Sequence, residues 1–132
     1  GDTYPSKSGG LSATADRGAD EVTAGDFAAI LVPGGWAPDK LRRYGSVLSL
    51  VREGHEAGVL LGFICHAGWV AASAGIVSGM RCTGSLGIRD DMVNAGAVWL
   101  DQPVVIDRNI VSSRRPPDLP EYLKALVRAL GV

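Results

Sequence analysis

The sequence predicts an α/β fold with a mostly parallel central sheet covered by helices on both faces. Two apolar runs, Phe-Ala-Ala-Ile-Leu-Val at 27–32 and Val-Leu-Leu-Gly-Phe-Ile at 59–64, have the unbroken character of strands buried on both sides. Strand patterns alternate with helical ones along the chain, the order that builds parallel units joined by helical crossovers. Ligands of such sheets bind beyond the carboxyl ends of the strands, so function is sought there.

Length and composition narrow the classes. A chain of 132 residues suggests one domain, 1–132, although three-layer folds usually use somewhat more chain. It is 46% hydrophobic and 20% charged, as expected of a globular domain. A net charge of −1 gives no basic footprint for nucleic acid or for a membrane surface, so neither is expected as a partner. No run of about 18 apolar residues is present to span a bilayer. No leader-like segment is apparent. Two cysteines, Cys65 and Cys82, do not make a disulfide framework, and a reducing, cytoplasmic setting is expected. His55 and His66 lack partner ligands at useful spacing, so no metal and no cofactor is expected.

The elements follow in order. Residues 1–25 are polar and Gly-rich; 11–15 can form a short edge strand and the rest reads as loop, which leaves 26–132 as the core. The buried strand 27–32 ends in Pro33-Gly34-Gly35. A helix opens at 38–44 with Pro38 in its first turn. Ser46 is the expected N-cap of a helix over 47–57, with a stripe of Val47, Leu48, Leu50 and Val51. His55, near Glu53 and Glu56, reads as a solvated residue of that helix, which Gly58 ends. The central strand 59–64 then runs directly into an Ala-rich helix at 67–74. A turn at 76–79 leads to a short strand at 80–83 holding Cys82 as a core thiol. A helix over 88–95 starts with Asp90 and Asp91, favoured by its dipole. Strands at 98–100, 104–107 and 110–113 come next, the last two joined as a hairpin through Arg108-Asn109. Asp118 with Glu121 forms a capping box for a final helix whose apolar face is Leu119, Leu123, Leu126, Val127 and Leu130. Arg114 and Arg115 offer an anion site, with solvation as the plainer reading.

Chemistry concentrates at Cys65-His66. A strand that passes into a helix without loop residues must pinch its backbone, which pushes one side chain out beyond the strand end. A thiol in the first turn of a helix meets the positive end of the dipole, and this favours the reactive thiolate. Ala67, Gly68 and Gly62 allow the close packing such an elbow needs. The match to G-x-S-x-G is partial, because Phe63 stands at the first glycine position. The competing reading is a buried inert thiol followed by a packing histidine; the cysteine ending its apolar run speaks against it. Pro33-Gly34-Gly35 also follows a strand end and should converge on the same place, where its N–H groups make a plausible oxyanion hole.

These residues carry a resemblance. Leu31-Val32-Pro33-Gly34-Gly35-Trp36-Ala37-Pro38 and Ile64-Cys65-His66-Ala67-Gly68 resemble the DJ-1/PfpI superfamily, nearest its intracellular-protease-like branch. So do Ile88-Arg89-Asp90-Asp91 through Asn94-Ala95-Gly96-Ala97, and Ser113-Arg114 before Asp118-Leu119-Pro120. The resemblance runs from about residue 27 to 130 and implies a flavodoxin-like three-layer sandwich. By it, Cys65 is the nucleophile and His66 its general base. Gly34, Gly35, His66 and Ala67 surround the oxyanion, with the N–H groups of Gly35 and His66 as donors. Asp39 stands where that branch carries an acidic residue that reaches the histidine across a subunit interface. The resemblance therefore implies a homo-oligomer, a dimer or hexamer. A helix-start charge is the plainer reading of Asp39. Two features depart from the family. Its N-terminal strand, and the loop whose Glu hydrogen-bonds the thiol, have no counterpart here, so the chain is expected to be N-terminally incomplete. Ser85 stands where protease-like members often carry Tyr. The implied activity is thiolate attack on a small carbonyl or a peptide: peptidase or amidase, glyoxalase III-type or deglycase. The rival is a non-enzymatic redox sensor or stress-response module in which Cys65 is oxidised.

Overall fold

The computed structural model describes residues 1–6 and 9–132; Lys7 and Ser8, part of the expected N-terminal loop, lie outside the described residues. The chain begins with an exposed antiparallel hairpin, β1 (Thr3–Pro5) with β2 (Ser12–Thr14). The short strand expected within 11–15 forms at Ser12–Thr14, but its partner is β1, within residues expected to be loop. It stands apart from the main sheet.

The main sheet has β3 (Ala29–Val32), β4 (Leu60–Ile64), β8 (Ile110–Ser113) and β7 (Val104–Asp107), in the order β3-β4-β8-β7. The first three are parallel, and β7 runs antiparallel to β8. Between them in sequence come α1 (Ala37–Leu41), α2 (Gly45–Glu56), α3 (Gly68–Ala74), β5 (Arg81–Cys82), α4 (Arg89–Asn94) and β6 (Val98–Trp99). β5 and β6 pair in parallel as a separate ribbon. The chain closes with α5 (Leu119–Leu130). One core gathers Val51, Leu61, Phe63, Val70, Ile88 and Met92. A second, smaller one joins Val111 of β8 to Tyr122 and Leu126 of α5, so helices lie on both faces of the sheet. Phe63 and Leu61 point into one layer while Gly62, between them, faces α5. A methyl on Gly62 would collide with the Tyr122 hydroxyl and with Leu31, so this glycine admits α5. Gly68, expected to let α3 approach its strand, instead abuts Ile88 and Met92.

Several expectations need correction. The strand at 27–32 is shorter and lies at the sheet edge, so Leu31 is 53% exposed and Phe27 41%. Ser46 is not the N-cap: α2 starts at Gly45, after Tyr44, and no side chain caps it. His55 is half-buried, with its Nδ1 2.9 Å from Asn109 Oδ1. Asn109 Nδ2 also donates to the carbonyls of His55 and Val59, which fastens the β7–β8 turn to the end of α2. Asp118 is the N-cap of α5 by position, but its carboxylate makes no capping bond, because Arg114 holds both oxygens. The face of α5 is also shifted. Tyr122, Ala125 and Leu126 are buried, whereas Leu119, Leu123, Val127 and Leu130 remain 38–51% exposed.

Candidate active site

The strand-to-helix junction is built as the sequence implies. β4 ends at Ile64, residues Cys65–Ala67 make a tight 3-10 turn, and α3 follows at once. Cys65 has φ +60°, one of two non-glycine residues with positive φ among the described residues. Such a conformation costs about 1–3 kcal/mol and persists only where surrounding packing enforces it. Ala67 and Val70, both fully buried, anchor the turn below. Cys65 is half-buried, and its Sγ lies 3.1 Å from His66 Nδ1, within hydrogen-bonding reach. The other thiol differs in kind. Cys82 is buried, and burial, with Asp107 nearby, pushes its pKa up to about 11, which makes it an inert core group as expected.

Pro33-Gly34-Gly35 arrives beside the elbow because β3 and β4 are parallel neighbours paired Val32 to Phe63. A methyl group on Gly34 would sit 2.8 Å from Cys65 Cβ, 3.1 Å from Ile64 O and 3.6 Å from the sulfur. The glycine backbone therefore lies against the nucleophile. Gly35 adopts φ +72°, which turns the chain away into α1. Thus Gly34, Gly35, Cys65, His66 and Ala67 are drawn together at one end of the sheet.

Aromatic groups hold the imidazole. The His66 ring lies 5.1 Å from Trp69 in an edge-on arrangement and 6.0 Å from Trp36. Trp69 is itself fixed, since its Nε1–H donates to Asp91 Oδ2 at 2.8 Å and Arg42 sits 5.5 Å over its ring. Arg42 Nε donates in turn to Ser73 Oγ. These tryptophans escaped the sequence reading, although Trp69 at i+3 from His66 is a signal for a shared helical face. On the opposite side the Ser85 N–H donates to Cys65 O at 3.0 Å, so the segment after β5 forms a further wall.

Asp39 does not reach His66 within the chain. It lies in the first turn of α1, and Arg43 Nη2 is 2.6 Å from its Oδ2. Arg114 is not a free surface cation. Its Nε and Nη2 donate to both oxygens of Asp118, at 2.8 and 3.2 Å, and its Nη1 donates to Asp101 at 2.8 Å. These bonds hold the Asp118 carboxyl below the usual carboxylate range and raise the guanidinium further. Among the described residues no group of three or more metal-ligating side chains is found. No described helix is long and apolar enough to cross a membrane.

Known proteins resemble this chain in sequence and in fold. The family model described as the DJ-1/PfpI family matches residues 1–129, which extends the likeness over the N-terminal segment as well. Deglycase PfpI of Pyrococcus furiosus is 40% identical over 121 residues, 92% of this chain and 73% of that protein. Protein/nucleic acid deglycase 2 of Escherichia coli is 39% identical over 132 residues, 99% of this chain and 77% of its own. Among solved structures, a two-domain protein with DJ-1/ThiJ/PfpI-like and ferritin-like domains from Anabaena variabilis superimposes with a TM-score of 0.97 at 39% identity. That match covers 98% of this chain and 39% of the two-domain one.

Proposed function

Because this chain belongs to the DJ-1/PfpI family, we propose that it is a cysteine-dependent deglycase or glyoxalase-type enzyme acting on small carbonyl compounds or carbonyl adducts. The observation that carries the reading is half-buried Cys65 at φ +60°, its sulfur 3.1 Å from His66 Nδ1. Curated relatives named deglycases support it.

His66 takes the thiol proton through Nδ1. The Cys65 sulfur then attacks the carbonyl carbon, a C–S bond forms, and the C=O pair moves onto oxygen. Backbone N–H groups of Gly35 and His66, with Gly34 and Ala67 shaping the pocket, meet the developing oxyanion. His66, held between Trp36 and Trp69, returns the proton in the later step. The two rings flank the imidazole and favour the orientation that turns Nδ1 to the sulfur. A homo-oligomer would bring Asp39 to His66 of a second copy, once Asp39 leaves Arg43.

The test is lactate production from methylglyoxal and from methylglyoxal-modified amino acids, with Cys65→Ala as control. Turnover in the wild type and loss of about three orders of magnitude or more in Cys65→Ala are expected for removal of a covalent nucleophile. Turnover that survives Cys65→Ala would overturn the reading. Absence of any turnover, with Cys65 gaining two oxygens under mild peroxide, would favour the redox-sensor alternative.

A further inference from the structure

A second cleft shares a wall with the nucleophile. The pairing of Ile64 with Ser113 across β4 and β8 brings Arg114 and Arg115, one and two residues past the end of β8, to the same end of the sheet as Cys65, which directly follows β4. There Gly84, Ser85, Leu86, Trp99, Asp101, Arg114 and Arg115 line a cleft of about 240 Å³, room for a small organic acid. The wall nearest the elbow is Gly84-Ser85. The Ser85 N–H binds Cys65 O, and a methyl on Gly84 would stand 3.0 Å from that same oxygen. Any side chain at residue 84 would thus press on the backbone of the nucleophile.

The two arginines of this cleft have different duties. Arg114 spends its donors on Asp118 and Asp101, so it braces the floor and cannot turn to a ligand. Arg115 makes no ion pair among the described residues. Its charge reaches Asp118 only through space, because Arg114 already occupies that carboxylate. Of the two carboxylates near it, Asp118 is therefore already compensated, and Asp101, 73% exposed, is screened by water. Besides the Asp101 carboxylate, which Arg114 Nη1 holds at 2.8 Å, the cleft offers a ligand one guanidinium fork, the Ser85 hydroxyl, and the apolar flanks of Leu86 and Trp99. That set suits a short carbon chain ending in a carboxylate, which a planar guanidinium binds in two-point fashion.

Resting on the carbonyl chemistry proposed above, we infer that this cleft is a carboxylate subsite in which Arg115 binds the acid end of a substrate whose carbonyl lies at Cys65. The substrate class is then carbonyl adducts that carry a free carboxylate, such as modified free amino acids or short peptides ending nearby, in preference to neutral adducts. The reaction consumes water and an adduct R–S–CH(OH)–CO–CH3, and it releases R–SH and lactate. The acid group of R takes no part in the bond changes.

The probe pair is the methylglyoxal hemithioacetal of N-acetylcysteine and that of N-acetylcysteine amide, alike in shape and different in charge. The wild type should show about tenfold higher kcat/KM for the acid, carried by KM, as one charge-assisted contact implies. Arg115→Gln should bring the two within about twofold, chiefly by lowering kcat/KM for the acid. Equal rates in the wild type, or a preference that survives Arg115→Gln, would overturn the assignment. A binding arm separates this from failure of the catalytic reading. In Cys65→Ala, N-acetylcysteine should quench tryptophan fluorescence at roughly tenfold lower concentration than its amide, and Arg115→Gln should abolish the difference. That result supports the subsite even if no substrate turns over. Equal binding refutes it, whatever the turnover.

Discussion

Replacement of Gly34 by alanine separates contact with the nucleophile from loss of backbone freedom. The new methyl would lie 2.8 Å from Cys65 Cβ and 3.1 Å from Ile64 O. Carbon atoms out of bonding contact sit about 3.5–4.0 Å apart, so the loop or the elbow must move by roughly 1 Å. Neither neighbour yields easily, since one is backbone and the other a β-carbon on a strained residue. Overpacking of this kind costs about 1–3 kcal/mol, which a domain with about 5–15 kcal/mol of stability survives. A misplacement of about 1 Å at reacting groups costs on the order of 100-fold, or about 2.7 kcal/mol of barrier. Gly35→Ala is the comparison. Its methyl meets nothing within 4 Å, and its penalty is the φ of +72° alone. Left-handed backbone costs an alanine about 1–2 kcal/mol, paid in stability, and the N–H is retained. The assay is lactate formation from methylglyoxal together with the rate of Cys65 alkylation by iodoacetamide. Cys82, buried and with a pKa of about 11, stays silent in the second measurement. Gly34→Ala should lose about 100-fold in kcat/KM and change the alkylation rate, while Gly35→Ala loses less than about tenfold. Equal losses in both variants, or full activity in Gly34→Ala, would refute the argument that loop and nucleophile are fitted to each other.

Two further predictions concern the frame. Asn109→Ala removes three hydrogen bonds, two to His55 at the end of α2 and one to the Val59 carbonyl before β4, and should cost about 1–3 kcal/mol in urea unfolding; a change below about 0.5 kcal/mol would sink it. Asp118→Asn should lower Tm by roughly 5 °C near neutral pH. The folded carboxyl has its pKa lowered by Arg114, so its contribution is present above the unfolded value of about 3.9 and fades as pH falls through the folded one. The Tm gap between Asp118→Asn and wild type should therefore shrink as the pH falls below the unfolded value of about 3.9; a gap that stays constant on acidification would show that the ion pair is not its source.

Much of the architecture was legible because it rests on local rules. The run 59–64 ended in Cys65-His66 with no loop residue, and that spacing alone demanded a pinched turn; the positive φ at Cys65 is the consequence. The β7–β8 hairpin was legible with its bounds, since a two-residue connection leaves few geometries. The misread features depend on partners distant in sequence. Phe27 and Leu31 look like core from within their own strand, but exposure is set by the position of β3 at the edge of the sheet. His55 next to Glu56 looks solvated until Asn109, 54 residues later, arrives beside it.

The chain around Asp118 shows why site chemistry was harder to read than fold. Asp118 three residues before Glu121, ahead of an apolar stripe, satisfies the local rule for a capping box, and local rules have no means to weigh a competing cation. Arg114, four residues upstream, wins that competition because a two-point guanidinium–carboxylate contact outweighs one bond to a peptide N–H. The clamp also enlists Asp101, from the loop before β7, so three separate segments meet at one side chain. That junction lies directly behind the strand end paired with Ile64. With Arg114 thus committed, Arg115 is the arginine that the proposed subsite needs. The difference between the two arginines is written in the fold of the loop and not in the pair Arg114-Arg115 itself.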